Sequence, residues 1–483
     1  MQKHFYTLRE IKKNTVMKST RIEHDFLGER EISDDKYYGI QTLRAIENFP
    51  ITGIPISHNS GLIQAFAMVK KACAQTNEDL GVLDVKVSKA IQDASDVLVA
   101  GELIDQFPVD MIQGGAGTST NMNVNEVIAN KALELIGYKK GEYDVIHPNN
   151  HVNCSQSTND TYPTAFRLAL YNGINNLIDA LRALEKAFEV KGEEFKDVLK
   201  MGRTQLQDAV PMALGDEFHA FSVTLDDDIK CLKDARDLLL EMNLGATAIG
   251  TTINAPEGYP ELSIKKLIEI TGLPLFLAPN LIEQTSDTGA YVQISGVLKR
   301  VATKLSKICN DLRLLSSGPR AGFNEINLPR MQPGSSIMPG KVNPVIPEVV
   351  NQVCYLVIGN DVTITMAAEA GQLQLNVMEP VMSYAIFQST DTMTNAIHTL
   401  IDRCVVGITA NEDVCAANVA NSVGVVTALN PVLGYEKCSE IAKEAFRTGK
   451  RVYDIVLEKG WIDKEKLDII FSSENLKNPK FIK

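Results

Sequence analysis

The sequence lacks the features that mark secreted, membrane-spanning and nucleic-acid-binding proteins. No apolar run approaches the ~20 residues needed to span a bilayer. The formal net charge of −12 offers no basic footprint for nucleic acid or an anionic membrane. The 8 cysteines are scattered without a CxxC pair, which favours reduced thiols over a disulfide framework or a zinc site. These absences predict a cytoplasmic protein with neither nucleic acid nor membrane as its partner.

Common cofactor and metal motifs are also missing from the sequence. There is no HExxH, no EF-hand loop and no strand-linked GxGxxG, so neither a metal site nor a bound cofactor is expected. The segment Gly334–Pro344 (GSSIMPGKVNP) has a superficial likeness to a phosphate-binding loop. Its glycines are one residue too far apart, Val342 stands where a metal-binding Ser or Thr is needed, and Pro339 removes a backbone donor. A nucleotide site is therefore disfavoured there.

Long helical patterns dominate the middle of the 483-residue chain. Apolar residues recur at spacings of three and four, as in amphipathic helices, from Leu170 to Phe188, from Phe218 to Met242 and from Ile294 to Leu315. Two further patterns cover about Pro347–Met366 and Pro380–Val405, and strand-like alternation is scarce. Five long helices in one domain predict a bundle, so the expected fold class is all-α, or mainly so. Helices of this length would bury their remaining apolar stripes against other subunits.

The chain length and the changes in pattern predict three domains. The expected division is a flexible N-terminal extension at 1–16, an N-terminal domain at 17–157, a central helical-bundle domain at 158–412 and a small C-terminal helical domain at 413–483. Shorter helices are expected in the outer domains, at Leu62–Asn77, Lys86–Leu103, Asn123–Leu135, Ser439–Arg447 and Val452–Lys459.

Four polar clusters are the candidates for chemistry. They are Gly117–Ser119, Ser155–Asp160, Gly202–Asp208 and the segment Gly334–Pro344, which we call the signature loop. Each is expected where a loop meets a long helix, because helix starts offer unpaired N–H groups that suit carboxylates. The same side chains also serve as helix N-caps, and this alternative stays open for each cluster alone. Four similar clusters, together with Lys341, favour a site for a small dicarboxylate.

The signature loop resembles that of the aspartase/fumarase superfamily, and the resemblance extends over nearly the whole chain from about Lys18. Gly117–Ala129 (GTSTNMNVNEVIA) and Ser155–Asp160 (SQSTND) match two further family regions. Flanking stretches resemble the ammonia-releasing branch rather than the hydratase branch: GRTQLQDAVP from Gly202, VIPEVVNQV from Val345 and GQLQLNVMEP from Gly371. Gln205 stands where the hydratase branch usually has histidine. Gly340 departs from the ammonia-releasing branch, several members of which have alanine there.

The resemblance implies a fold, an assembly and a reaction. It implies a three-domain chain whose five-helix central bundle contributes to a twenty-helix core in a homotetramer, with active sites shared between subunits. The implied reaction is the reversible deamination of L-aspartate to fumarate and ammonia, through Cβ-proton abstraction and an aci-carboxylate intermediate. No cofactor is required, although Mg²⁺ activates parts of the family. The alternatives are a fumarate hydratase and a catalytically inactive structural or binding member.

The resemblance also implies a role for each matching residue. Ser335 would be the general base, activated by backbone N–H groups of the Gly334–Met338 turn and by Lys341; a flexible polar turn is the alternative. The remaining roles are donors to the aci-carboxylate at Thr118, Ser157, Thr158 and Ser336, groups for the α-carboxylate at Thr204, Lys341 and Asn343, and groups for the leaving amine at Asn159 and Gln205. The run His147–Asn150 matches a secondary carboxylate-binding loop of some members, with a plain helix-start loop as the alternative.

Overall fold

The structure, a computed structural model, describes residues 19–478; the predicted extension at 1–16 lies outside them. The α-helices of this range are, in chain order, α1 (Ile40–Asn48), α2 (Ser60–Asp79), α3 (Val85–Val99), α4 (Thr118–Leu135), α5 (Thr158–Glu194), α6 (Leu214–Asp237), α7 (Tyr259–Thr271), α8 (Leu281–Ser286), α9 (Gly289–Leu315), α10 (Val345–Glu369), α11 (Glu379–Arg403), α12 (Glu412–Asn421), α13 (Asn430–Thr448), α14 (Val452–Lys459), α15 (Lys464–Ile470) and α16 (Ser473–Lys477). The mainly α-helical fold is confirmed.

Short strands form four two-stranded sheets in the described range. The pairs are β1 (Thr20–Asp25) with β2 (Gly28–Ser33), β3 (Leu199–Thr204) with β4 (Gln207–Ala213), β5 (Glu241–Met242) with β6 (Phe276–Leu277), and β7 (Ile326–Asn327) with β8 (Thr409–Ala410). Only the β5–β6 pair is parallel. The β1–β2 and β3–β4 hairpins were not predicted.

The chain divides into two compact units. Unit 1 holds the described residues up to Asn172, with Leu238–Ala290 and Thr365–Tyr384. Unit 2 holds Gly173–Asp237, Tyr291–Ile364 and the described residues from Ala385 onward. The domain boundaries expected at 157 and 412 remain predictions.

Unit 2 contains the expected bundle, formed by α6 and the parts of α5, α9, α10 and α11 that lie in this unit. Four neighbouring pairs share a side-chain contact: α5 with α6 through Phe188 and Phe218, α6 with α9 through Asp228 and Lys304, α9 with α10 through Ser306 and Asn351, and α10 with α11 through Asn360 and Ser389. Helix α11 lies beside α5 at Gly173, where an added Cβ would be 3.8 Å from Thr390 Oγ1. Apolar residues at helical spacing on α5, such as Ile174, Leu177 and Leu181, are fully buried. The periodicity of the sequence therefore identified the bundle because those positions form its interior.

The C-terminal helices of unit 2 share a hydrophobic cluster with the β3–β4 hairpin. The cluster includes Leu429, Ile441, Ile455 and Leu467, and Met201 of β3 is buried among them. The hairpin is thus packed onto the C-terminal segment. Among the described residues no single helix is long and apolar enough to cross a membrane, although the bent pair Glu412–Asn421 and Val423–Thr448 passes that test on length and composition.

Candidate functional site

In unit 1 the first turns of α4 and α5 lie side by side. Asn121 of α4 donates from Nδ2 to Thr158 Oγ1 of α5 at 3.0 Å. Gly117 caps α4 with a φ of +88°, and a Cβ there would lie only 2.3 Å from Cδ2 of Tyr162. Only glycine fits both the conformation and the contact. The structure thus brings the first turn of α4, which Thr118 begins, against the first turn of α5, which Thr158 begins.

Ser157 and Asp160 cap the start of α5 reciprocally. Ser157 Oγ accepts from the Asn159 N–H at 3.2 Å, and Asp160 Oδ1 accepts from the Ser157 N–H at 3.1 Å. The N-cap alternative is therefore part of the geometry here. Thr118 Oγ1 donates to the Gly115 carbonyl oxygen at 2.7 Å. Ser157 and Thr158 use their oxygens as acceptors, whereas the Thr118 hydroxyl is a donor to its own turn.

A buried lysine supports the turn that precedes α5. Lys70 of α2 is fully buried, and its Nζ donates to Asn153 Oδ1 at 3.0 Å and to Gln156 Oε1 at 2.8 Å. Burial lowers the pKa of Lys70 to about 8. Two neutral amide oxygens take the place of water around this ammonium group. The charged donor thereby holds in place the turn that contains Asn153 and Gln156.

The signature loop, in unit 2, is closed on itself. The Gly334 N–H donates to the Lys341 carbonyl oxygen at 2.7 Å, and Asn343 Nδ2 donates to the Gly334 carbonyl oxygen at 2.9 Å. A Cβ on Gly334 would lie 2.7 Å from the Asn343 nitrogen, so only glycine allows this approach. Gly340 has a φ of +81°, which lets the chain reverse towards Lys341.

Ser335 lies inside this closed loop with its hydroxyl held by backbone donors. Its Oγ accepts from the Met338 N–H at 3.0 Å and from the Ile337 N–H at 3.2 Å. Donors aimed at an oxygen stabilise its anionic form. Ser336 is exposed.

A pocket of about 590 Å³ opens beside the C-terminal half of the signature loop. Lys341 and Asn343 line it from the loop, and Asn310, Arg313 and Ser317 line it from the end of α9 and the residues that follow. Two cations and several neutral polar groups therefore border one cavity, a chemistry that suits an anionic ligand.

The cluster Gly202–Asp208 does not precede a long helix, and that prediction was wrong. It forms the end of the β3–β4 hairpin, where Thr204 pairs with Gln207. The two residues of the turn, Gln205 and Leu206, have φ values of +52° and +62°. Hairpin turns of two residues need this left-handed conformation and usually carry asparagine or glycine. Neither residue type stands at these two positions, so the sequence did not predict a turn.

The hairpin is anchored by a buried ion cluster and by the C-terminal segment. Glu325, fully buried, pairs with Arg203 at 2.6 Å and with Lys200 at 3.1 Å. Ser422 Oγ donates to Asp208 Oδ2 at 2.7 Å. Thr204 and Gln205 therefore lie on an exposed tip whose base is rigid.

The structure places the predicted site residues at three places in the two units. Unit 1 brings together Thr118, Ser157, Thr158 and Asn159 at the start of α4 and α5. Unit 2 carries Thr204 and Gln205 on the hairpin, and Ser335, Ser336, Lys341 and Asn343 on the signature loop. Each group combines hydroxyl and amide groups, and Lys341 supplies a formal charge.

Some residues hold the site in place and were not predicted from the sequence as site residues. Asp160 and Lys70 are both buried, and Asn243 donates from Nδ2 to the Asn159 carbonyl oxygen at 3.1 Å. The spacing of Ser157 and Asp160 is that of a capping box, which would have identified Asp160. No sequence pattern identified Lys70 or Asn243.

The His147–Asn150 run leads into one turn of π-helix, Pro148–Val152. His147 Nδ1 accepts from the Asn149 N–H at 3.0 Å, as an N-cap does. Within residues 19–478 no three or more His, Cys, Asp or Glu side chains cluster as a metal ion would require.

Comparison with known proteins gives the class of this chain. Residues 28–359 match the family described as "Lyase", and residues 425–478 match the family described as "Fumarase C C-terminus". The chain belongs to the aspartase/fumarase superfamily of lyases.

Within the superfamily, the chain is similar to aspartate ammonia-lyases. It is 61% identical to the aspartate ammonia-lyase of Helicobacter pylori strain J99 over 463 residues, which are 96% of this chain and 99% of the relative. The fold is similar to that of a fumarate lyase:delta crystallin from Brucella melitensis bound to cobalt, with a TM-score of 0.93, 54% identity and coverage of 95% and 100%. A class II fumarase from Schistosoma mansoni is more distant, with a TM-score of 0.89 and 34% identity over 95% of this chain and 100% of that chain.

Proposed function

We propose that this protein is an aspartate ammonia-lyase, which converts L-aspartate reversibly to fumarate and ammonia. The observation that carries the proposal is the 61% identity over nearly the full length of an aspartate ammonia-lyase. The 34% identity to the class II fumarase supports the same branch. Ser335, Lys341 and Asn343 are all present, which argues against a catalytically inactive member.

Ser335 takes the proton from Cβ of aspartate in this proposal. A serine hydroxyl is too weakly acidic to act as a base unless its anion is stabilised. The N–H groups of Ile337 and Met338, both directed at Ser335 Oγ, provide part of that stabilisation, and the charge of Lys341 on the same loop adds to it. The closed loop of Gly334–Asn343 holds these donors in place.

The carbanion left at Cβ is tolerable only if its charge spreads into the β-carboxylate as an aci-form. Donors that meet this charge give the largest catalytic effect. Ser157 and Thr158 suit this role, because their oxygens already accept from Asn159 and Asn121 and their own hydrogens remain to be donated. Ser336, which is exposed on the signature loop, is a further donor to the aci-carboxylate. Thr118 becomes a donor to it when its hydroxyl rotates away from Gly115.

The α-carboxylate and the amine are assigned to the remaining residues. Lys341, with Thr204 and Asn343, holds the α-carboxylate by charge and hydrogen bonds. Asn343 has a second N–H on Nδ2 for this purpose, since one donates to Gly334. Asn159 and Gln205 orient the amine that leaves from Cα.

The protein forms a homotetramer in this proposal, with each active site built from several subunits. Support comes from α10, where Val349, Tyr355, Leu356 and Val362 are between 40% and 62% exposed. An apolar stripe of this size on a bundle helix is typical of a subunit interface. The same assembly would bring these groups of site residues together from different chains.

The elimination uses proton transfer and hydrogen bonds, so the proposal requires no cofactor. Mg²⁺ would act only as an activator, without contact to the reacting groups. All 8 cysteines are free, which supports a reducing cytoplasmic location.

Fumarate formation, followed by its ultraviolet absorbance, tests the proposal on purified protein. Turnover of L-aspartate with little or no turnover of L-malate is the expected result. Faster turnover of L-malate would identify a fumarate hydratase, and turnover of neither substrate would identify an inactive member.

A further inference from the structure

The segment Asn243–Ala248, which we call the backing turn, is bonded to the first turn of α5 at three points. The Thr247 N–H donates to Asp160 Oδ2 at 2.8 Å. Asn159 Nδ2 donates to the Ala248 carbonyl oxygen at 2.8 Å, and Asn243 Nδ2 donates to the Asn159 carbonyl oxygen at 3.1 Å. Both the backbone and the side chain of Asn159 are therefore held by this one segment of unit 1.

The backing turn has a backbone that its surroundings must hold in place. Thr247 has a φ of +59°, a conformation that β-branched residues rarely adopt. Gly245 has a φ of +90°, and a Cβ there would lie 2.8 Å from Cα of Pro260. Strained conformations of this kind persist where neighbouring groups fix them, and they concentrate at functional sites.

Asp160 is the group that holds the strained residue. Its side chain is fully buried, and its two oxygens are divided between the Thr247 N–H and the Ser157 N–H. A carboxylate can accept from both at once, whereas an amide can accept on one side only. The turn is thus locked to the start of α5 by the side chain of Asp160.

The bonds to the backing turn fix the orientation of the Asn159 carboxamide. Because Nδ2 is bonded to the Ala248 carbonyl oxygen, Oδ1 lies at the opposite end of a planar group. Among the described residues Oδ1 accepts no hydrogen bond. An ammonium group has only donors, so a fixed acceptor recognises it, whereas a carboxamide free to rotate would present a donor half of the time.

We propose that the backing turn, locked by Asp160, is a positioning element that fixes Asn159 Oδ1 as the acceptor for the substrate amine. The inference rests on the proposed function, which assigns the amine to Asn159. Asn243 and Asp160 act through Asn159 and are positioning residues.

Amination of fumarate, the reverse reaction, separates amine recognition from carboxylate recognition. Asn243→Ala removes the bond that Asn243 Nδ2 donates to the Asn159 carbonyl oxygen, together with a second one to Thr285 Oγ1 at 3.2 Å. Asp160→Asn replaces one acceptor oxygen by an amide donor that opposes a backbone N–H. Glu126→Gln is the matched control, because Glu126 is also buried in unit 1 and accepts the Gly39 N–H at 2.8 Å without contact to Asn159. Circular dichroism and size-exclusion chromatography identify the folded variants.

Asn243→Ala is expected to raise KM for ammonia about tenfold while KM for fumarate stays within about threefold of the wild type. Asp160→Asn should raise KM for ammonia at least as much, with a further effect on fumarate through Ser157. Glu126→Gln should leave both constants within about threefold. If Asp160→Asn does not fold, the KM values of Asn243→Ala alone test the proposal.

An unchanged KM for ammonia in Asn243→Ala, or equal rises for ammonia and fumarate, would overturn the inference. Failure of the proposed function has a different signature, since the wild type itself would then not release fumarate from L-aspartate.

Discussion

Asn343 donates from Nδ2 to the Gly334 carbonyl oxygen at 2.9 Å and thereby ties the end of the signature loop to its beginning. Between these two residues lie Ser335 and the N–H groups that meet its hydroxyl. The same side chain that is assigned to the α-carboxylate therefore also shapes the loop that carries the base.

Asn343→Ala should open the signature loop and reduce kcat/KM for L-aspartate by about 10² or more, because a displacement of about 1 Å is enough for such a loss. Residues 336–342 of the loop are exposed, so the melting temperature should change little. Steady-state kinetics with thermal unfolding checks both expectations. Gln332→Ala, an exposed position just before the loop, serves as the control. A loss of less than fivefold in Asn343→Ala would show that the loop closes without this bond.

Leu206→Gly should stabilise the protein and impair catalysis. Leu206 has a φ of +62° in the hairpin turn, a conformation that costs a non-glycine residue about 1 kcal/mol or more. Glycine removes this cost, so the free energy of unfolding should rise by about 0.5–1 kcal/mol. The looser tip should lower kcat/KM severalfold through Gln205. Leu206→Ala keeps the strain and should show no gain in urea unfolding; an equal gain there would contradict the explanation.

Gly117→Ala should destabilise unit 1 and remove activity. An alanine would be strained at a φ of +88°, and its Cβ would meet the Tyr162 ring. The two effects together should cost about 2–4 kcal/mol. Gly137→Ala separates them, since Gly137 has a φ of +87° but no atom within 4 Å of an added Cβ. Chemical denaturation should show the smaller loss in Gly137→Ala, with activity retained there; equal losses would mean that the Tyr162 contact is unimportant.

The stability of the protein should depend on pH through Glu126. Burial raises the pKa of Glu126 to about 7, above its unfolded value. A raised folded pKa means that the stabilising effect is complete below the unfolded pKa and is lost as the pH rises towards 7. Between pH 5 and pH 8 the wild type should therefore lose about 2–3 kcal/mol relative to Glu126→Gln. Urea midpoints of both proteins at the two pH values measure this difference, and a difference of the opposite sign would show that Glu126 is charged throughout.

The sequence predicted most of the helices because their apolar faces are buried at a regular spacing. Helix α14 has the predicted bounds, Val452–Lys459. Helix α4 begins at Thr118 rather than Asn123, because its first turn consists of polar residues that show no apolar spacing in the sequence. The β3–β4 hairpin was missed because Gln205 and Leu206 occupy a turn without glycine or asparagine.

The candidate site was predictable where the type of side chain itself indicates the chemical role, as for Lys341 in the signature loop. Many of the contacts that hold the site were not predictable, because one partner in each is a backbone group. The Met338 N–H that meets Ser335 and the Ala248 carbonyl that meets Asn159 would be available in almost any sequence. Only the folded chain determines which of them are directed at the site.

The most direct test of the mechanism compares Ser335→Ala with Ser336→Ala in the elimination of ammonia from L-aspartate. Loss of the base should lower kcat by about 10³-fold or more, whereas loss of one donor at Ser336 should lower it by about 10–10². Both variants should keep the fold and the fumarate affinity of the wild type. Turnover of Ser335→Ala within tenfold of the wild type would contradict the assignment and place the base elsewhere.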